Sequence, residues 1–168
     1  MLRTVALLAL VVIGTIGWWL LPDKQAPDRQ TTIYEGVPTI RDGDNVRIDG
    51  VNIRLIGIDA CELGQPARHA GAWIDCGTWA RDSFREMIGP RSVRCESTEQ
   101  DVYERPLAVC YVGEREINRA LVRNGYAFPY ARGSDYEAEA DEARSAGRGL
   151  WLFEEVQDPS DYRRRMRS

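Results

Sequence analysis

At 168 residues, with 29% charged and 9% aromatic side chains, the chain has the length and composition of one folded domain with a core of its own. Its net charge of −4, still acidic beyond the first 30 residues, argues against holding nucleic acid by a globally basic surface. A metal ion or a local basic pocket is the remaining route to a polyanion.

Arg3 precedes a charge-free stretch, residues 4–21, TVALLALVVIGTIGWWLL. It is slightly shorter than the roughly 20 residues a spanning helix prefers. It lacks the small-residue exit of a cleavage site, and its paired tryptophans suit a membrane interface. Residues 1–22 therefore read as an uncleaved signal anchor, with a cleaved signal peptide or a buried N-terminal helix as alternatives. Arg3 favours the inner side, so the rest of the chain is expected to be exported, to the periplasmic or extracellular side. The polar segment PDKQAPDRQT, with two prolines, makes a short linker over 23–31.

Strand-like runs follow at 36–41, 45–48 and 51–58, joined by Asp42-Gly43-Asp44 and Asp49-Gly50, and Asp-Gly between β-like runs predicts hairpins. Residues 63–77 read as an irregular loop with room for a turn of helix. The loop carries His69, the one histidine, whose surface role is favoured over catalysis. A helix is predicted at 78–88, with Trp79, Ala80, Phe84, Met87 and Ile88 on one face and Gly89-Pro90 as its stop. A strand pair, 91–96 and 106–112, flanks STEQDVYER. A short helix covers 116–124, and 126–130 is extended. Ser134 with Glu137 forms a capping-box pattern for a last helix reaching about 146. Trp151 and Phe153 are expected to anchor the domain, which spans 32–153, and residues 154–168, ending in YRRRMRS, read as a solvated basic tail. The expected class is α+β, mainly β, and a small closed barrel capped by helices removes the sheet edges most economically.

Four cysteines, at 61, 76, 95 and 110, suit an oxidising compartment and allow three pairings. Cys95 and Cys110 are equidistant from a turn near 102–103, so a hairpin would set them opposite each other and leave Cys61 with Cys76.

Three clusters carry charge where a core needs none: RDGDNV at 41–46, IRLIGIDACE at 53–62 and DVYERPLAVCY at 101–111. If strand 45–48 pairs with 51–58, Asp44 and Asp59 lie at one end of the sheet. Close carboxylates need a cation, and oxygen donors without His or Cys suit Ca²⁺ or Mg²⁺. Arg54 and Arg105 offer planar forks to phosphate oxygens, and Glu62 is suited to activating water. Taken singly, Asp42 and Asp44 are first of all hairpin-turn residues, Arg54 a sheet-edge residue, and Arg105 a partner for Glu104.

The order of these motifs resembles the staphylococcal nuclease (thermonuclease) family: D-G-D-x-V at 42–46, I-R-L-x-G-I-D-A-x-E at 53–62, D-x-Y-x-R-x-L-A at 101–108 and INRALVRNGYA at 117–127. The resemblance implies a five-stranded OB-type barrel with about three helices and Ca²⁺-dependent cleavage of DNA and RNA at the P–O5′ bond, leaving 3′-phosphates. It assigns Asp44, Asp59 and the backbone carbonyl of Ala60 to the metal. Glu62 becomes the general base or water-orienting group, and Arg54 and Arg105 bind phosphate. Tyr103 and Tyr130 fall near the nucleotide, although both serve equally well as plain core aromatics. Cys61 stands where the family usually has proline, so a bond to Cys76 would restrain that turn, and Glu104 stands where glycine is common. The implied partners are a nucleic acid substrate and, through the N-terminal helix, a membrane, with the chain acting as a monomer. The rival reading is a non-catalytic module of the same fold that binds nucleic acid or protein in the cell envelope.

Overall fold

In β4 (Val51–Leu55), Ile53 and Leu55 are fully buried while Arg54 points to the other face, the period-two alternation of a strand with one face in the core. A computed structural model describes residues 30–130 and 135–168. The candidate membrane segment, most of the linker and the Ser134 cap lie outside the described residues. No helix among the described residues is long and apolar enough to cross a membrane.

Around β4 the chain builds a curled antiparallel sheet in the order β1–β8–β9–β4–β3–β2, from β1 (Thr32–Gly36), β2 (Thr39–Ile40), β3 (Asn45–Ile48), β8 (Val93–Gln100) and β9 (Pro106–Val112). The exception is the parallel β4–β9 contact, and β10 (Arg115–Glu116) adds to β9. The turn Asp49-Gly50 has positive φ at both residues, as a tight β3–β4 hairpin requires. The expected strand 51–58 stops short of that length. Gly57, at φ 77°, breaks it, and β5 (Ile58–Asp59) pairs with β11 (Phe128–Pro129) instead.

The concave side is filled by Val46, Ile53, Leu55, Val93 and Ala108 from the sheet and by Phe84 from α1 (Cys76–Ile88). All six are fully buried, and truncating a phenylalanine in such a place typically costs about 3–5 kcal/mol. Helices α2 (Ile117–Arg123) and α3 (Glu137–Ser145) close the other end, followed by a 3-10 turn at Gly149–Leu152. The structure is α+β and mainly β, as expected, with the OB-type barrel present as a curled half-barrel and with four α-helices among the described residues.

Two segments differ from the sequence reading. Within the expected loop 63–77, residues 66–75 form a hairpin, β6 (Pro66–His69) with β7 (Ala72–Asp75), turning through Ala70 and Gly71 at φ 50° and 77°. The C-terminal residues are not a free tail: after Asp158, whose carboxylate accepts from the Ser160 N–H at 2.8 Å, Pro159–Met166 form α4.

Candidate active site

Register across three strands sets the floor of the site. Asn45 of β3 stands opposite Arg54 of β4, which stands beside Leu107 of β9. Asn45, Arg54 and Leu107 all line one cavity of about 490 Å³. The loops at the strand ends supply the walls. A larger cavity of about 620 Å³, between the β6–β7 hairpin and α4, has Trp73, Glu154 and Tyr162 in its lining. Charge rather than volume marks the smaller one, because that is where the carboxylates are buried.

Asp44, from the turn before β3, and Asp59, at the end of β5, meet at one guanidinium. Arg54 Nη2 lies 3.0 Å from Asp44 Oδ2 and 3.2 Å from Asp59 Oδ1. Both aspartates are nearly inaccessible, at 6% and 2% exposure. Burial pushes the Asp44 carboxyl up to about 8, against the pull of Arg54 and with the push of Asp42 and Asp59. The tight approach of this loop needs Gly43, because a Cβ there would lie 2.5 Å from the Ala60 Cβ and 3.0 Å from that of Ala80. Asn45 Nδ2 donates to Asp44 at 2.6 Å and to Asp42 at 2.8 Å, fixing the turn from the side.

The segment from Asp59 to Glu62 is tied to the start of α1. Cys61 is bonded to Cys76, the first helical residue, and Asp75 caps the helix by accepting from the Thr78 N–H at 3.0 Å. Gly77 lies so close to the Glu62 carbonyl that a Cβ would fall 2.2 Å from it. Gln65, fully buried, accepts from the Glu62 N–H at 3.0 Å and donates to the Gln157 carbonyl at 2.7 Å. Cys95 and Cys110 face each other across β8 and β9 and form the second disulfide, so both bonds follow the pairing expected from the hairpin.

Arg105 stands on the opposite wall, at the end of a turn organised by Asp101. One Asp101 oxygen accepts from the Tyr103 and Arg105 N–H groups, each at 2.9 Å, and the other accepts from Arg105 Nε at 2.7 Å. Although desolvation opposes it, these donations from Arg105 and Tyr103 hold the Asp101 carboxyl below its ordinary value. Arg105 Nη1 reaches Asn45 Oδ1 at 3.3 Å, joining this wall to the aspartate wall. Glu104 sits at φ 62°, the conformation that makes glycine common at such a position. Tyr103, 76% exposed, and Tyr130, 53% exposed, stand at the rim of the cavity rather than in the core. His69 lies in β6, stacked on Phe153, outside the lining of this cavity.

Of the expected set, Asp44, Arg54, Ala60, Glu62, Tyr103, Arg105 and Tyr130 line one cavity, and Asp59 is joined to that lining through Arg54 and Arg163. Sequence reasoning missed Arg163. From α4 it donates to both Asp59 oxygens at 2.9 and 2.8 Å and to Glu62 at 2.6 Å. Asp158-Pro159 was a readable helix start, but nothing local signals where Arg163 ends up. Asn118 was also passed over. Fully buried, it donates to the carbonyls of Ile56 and Ala108 and accepts from the Cys110 N–H, fastening the end of β4 to β9.

Among the described residues no group of three or more His, Cys, Asp or Glu side chains is arranged to hold a metal ion. What the site offers is two desolvated carboxylates, Asp44 in the cavity lining and Asp59 joined to it through Arg54, and the lining residue Ala60, all oxygen donors. Asp44 is crowded by two further carboxylates, a strain that a hard divalent cation relieves. The donor set fits a cation that completes its shell with water or substrate oxygens.

A family model described as staphylococcal nuclease homologue matches residues 52–152, starting after the Asp42–Asp44 turn. An uncharacterized endonuclease of Haemophilus influenzae is 28% identical over 131 residues, covering 76% of this chain and 71% of that protein. Two probable staphylococcal-like nucleases of Oryza sativa subsp. japonica, CAN2 and CAN3, are 30% and 29% identical over 95 residues. Those matches take in 55% of this chain but 26% and 25% of the rice proteins. On the family match, over most of the described domain, this chain belongs to the staphylococcal nuclease homologue family.

Proposed function

We propose that the chain is an exported, calcium-dependent endonuclease that hydrolyses phosphodiester bonds of DNA, RNA or both. The observation that carries the reading is the convergence of Asp44 and Asp59 on Arg54, which lines a cavity together with Asp44, Glu62 and Arg105. A non-catalytic module has no use for such a desolvated charge cluster, and the relatives named as nucleases support the same direction.

In this reading the carboxylates of Asp44 and Asp59 and the carbonyl of Ala60 hold Ca²⁺. When bound, the ion supplies positive charge against the phosphate oxygens as negative charge builds on them. Arg54 and Arg105 grip the phosphate from two sides of the cavity, where their planar forks fix its orientation. Glu62, 40% exposed at its side chain, takes the proton of the attacking water and orients it toward phosphorus. Tyr103 and Tyr130 present ring faces at the rim, where bases of an unpaired strand can stack. Cleavage of the P–O5′ bond would leave 3′-phosphates, and the chain would act as a monomer. The two disulfides favour an oxidising compartment, in keeping with an anchor at 1–22 that holds the domain to a membrane.

The test is hydrolysis of end-labelled single-stranded DNA and RNA by the purified full-length chain, with Ca²⁺ or with a chelator. Calcium-dependent products ending in 3′-phosphate are expected. Cleavage indifferent to the chelator, or none from a folded protein, would overturn the reading.

A further inference from the structure

Helix α4 and its C-cap bring two cations to the cavity lining from outside the barrel and its loops, Arg163 and Arg167, and Arg163 is the one bonded to the carboxylates. The root of the helix is fixed. Residues 154 and 155 run beside β6, with Arg68 N–H donating to the Glu155 carbonyl at 2.8 Å and the Glu154 N–H to that of Arg68 at 2.9 Å. Gln65 then holds Gln157 and Glu62 with the two ends of one buried amide. Beyond that root the helix is lightly held. Pro159 is its one buried residue, Tyr162 reaches the Gly64 carbonyl at 3.5 Å, Arg164 pairs with Asp161 within the helix, and Arg165 pairs with Gln157 just before it. Eight residues is below the roughly 12 at which an isolated helix becomes even marginally stable in water. Its position therefore depends on what its side chains grip, and Arg163 makes three charge-assisted hydrogen bonds to Asp59 and Glu62.

We propose that α4 is a strap in which Arg163 competes with the activating cation for Asp59, and at the same time ties up Glu62. The proposal rests on the calcium-dependent reading above. Both Asp59 oxygens already accept from Arg163, and one of them also from Arg54. Three of the about four lone-pair sites of the carboxylate are thus taken, and a hard cation drawing in at about 2.3–2.6 Å also meets the positive charge of the guanidinium, so the two compete for Asp59. Glu62, bonded to Arg163, is likewise kept from taking a proton from water. Cation binding and release of the strap are then one event, and the cavity becomes competent in the carboxylates and the base at once.

The arithmetic sets the scale of the test: a strap engaged in about 90% of molecules weakens the apparent cation affinity about tenfold. Calcium titration calorimetry on the full-length chain compares the unaltered protein with Arg163→Gln and with Arg164→Gln, whose arginine pairs on the helix's own surface. Arg163→Gln is expected to bind calcium about tenfold more tightly, and Arg164→Gln as the unaltered protein does. Amide hydrogen exchange on the unaltered chain gives a second readout, with calcium saturation accelerating exchange over 159–166. Equal calcium affinities in all three proteins, or exchange in α4 that calcium leaves unchanged, would overturn the strap. The nuclease reading would then stand if cleavage still required calcium. A raised KM for nucleic acid at unchanged calcium affinity would also overturn it and make Arg163 a phosphate-binding residue. No calcium binding by any of the three would overturn the strap and the calcium reading together.

Discussion

Cys95–Cys110 and Cys61–Cys76 each bridge a separation of 15 residues, but they staple regions of different character. The first joins facing residues of β8 and β9, in a ladder whose hydrogen bonds already define the register on either side. The second joins a turn outside the main sheet, between Asp59 and Glu62, to the first residue of α1. With equal separations, the loop-closure contribution to stability is the same for both, about 3 kcal/mol. The difference between them is positional. Removing the β8–β9 bond leaves a strand pair that still knows its register, whereas removing the other leaves the turn between Asp59 and Glu62 with fewer restraints.

Removing each bond in turn separates the two roles. Cys61→Ala with Cys76→Ala is expected to lower kcat per folded molecule about 100-fold, the scale of a misplacement near 1 Å at a reacting centre. Cys95→Ala with Cys110→Ala should lose similar stability, read by urea unfolding, and keep its kcat below its lowered melting temperature. Equal activity losses in the two double variants would contradict the distinction.

A smaller effect comes from the desolvation peculiar to the site. Asp44 titrates near 8 in the folded chain against 3.8 in the open, so between those values the folded state holds a proton that the unfolded chain has lost. Its contribution to stability is therefore full below about 4 and is lost as pH rises through about 8, measured with a chelator present. Asp44→Asn should flatten that slope, and a slope unchanged in the variant would mean that Asp44 is not so desolvated. The smallest effect is expected at the Arg105 turn. Relieving the left-handed backbone at Glu104 by Glu104→Gly should raise stability by about 1 kcal/mol, visible as a higher urea midpoint. No gain there would show that the turn carries no such strain.

The parts of the molecule that were legible in the sequence are those where local chemistry and tertiary structure agree. Alternation in 53–55, the Asp49-Gly50 turn, the apolar face of α1 and the equal spacing of Cys95 and Cys110 about a turn all carry their reason within a few residues. So does the meeting of Asp44 and Asp59, once 45–48 is paired with 51–55. The β6–β7 hairpin was not legible because PARHAGAWID is poor in β-branched residues and turns through Ala70 in a conformation alanine rarely adopts. Arg163 was hidden for another reason. Its partners Asp59 and Glu62 lie 104 and 101 residues away, and a run of arginines on a short helix looks the same whether it meets water or a pair of carboxylates.

In the proposed reading the buried carboxylate and arginine cluster is a hydrolytic centre with Glu62 as its base. Steady-state cleavage of single-stranded DNA by Glu62→Gln, at saturating calcium and with circular dichroism matched to the unaltered chain, tests it most directly. A fall in kcat of about 10²- to 10⁴-fold is predicted, the range a positioned general base contributes. Undiminished turnover in a folded Glu62→Gln chain would contradict the account.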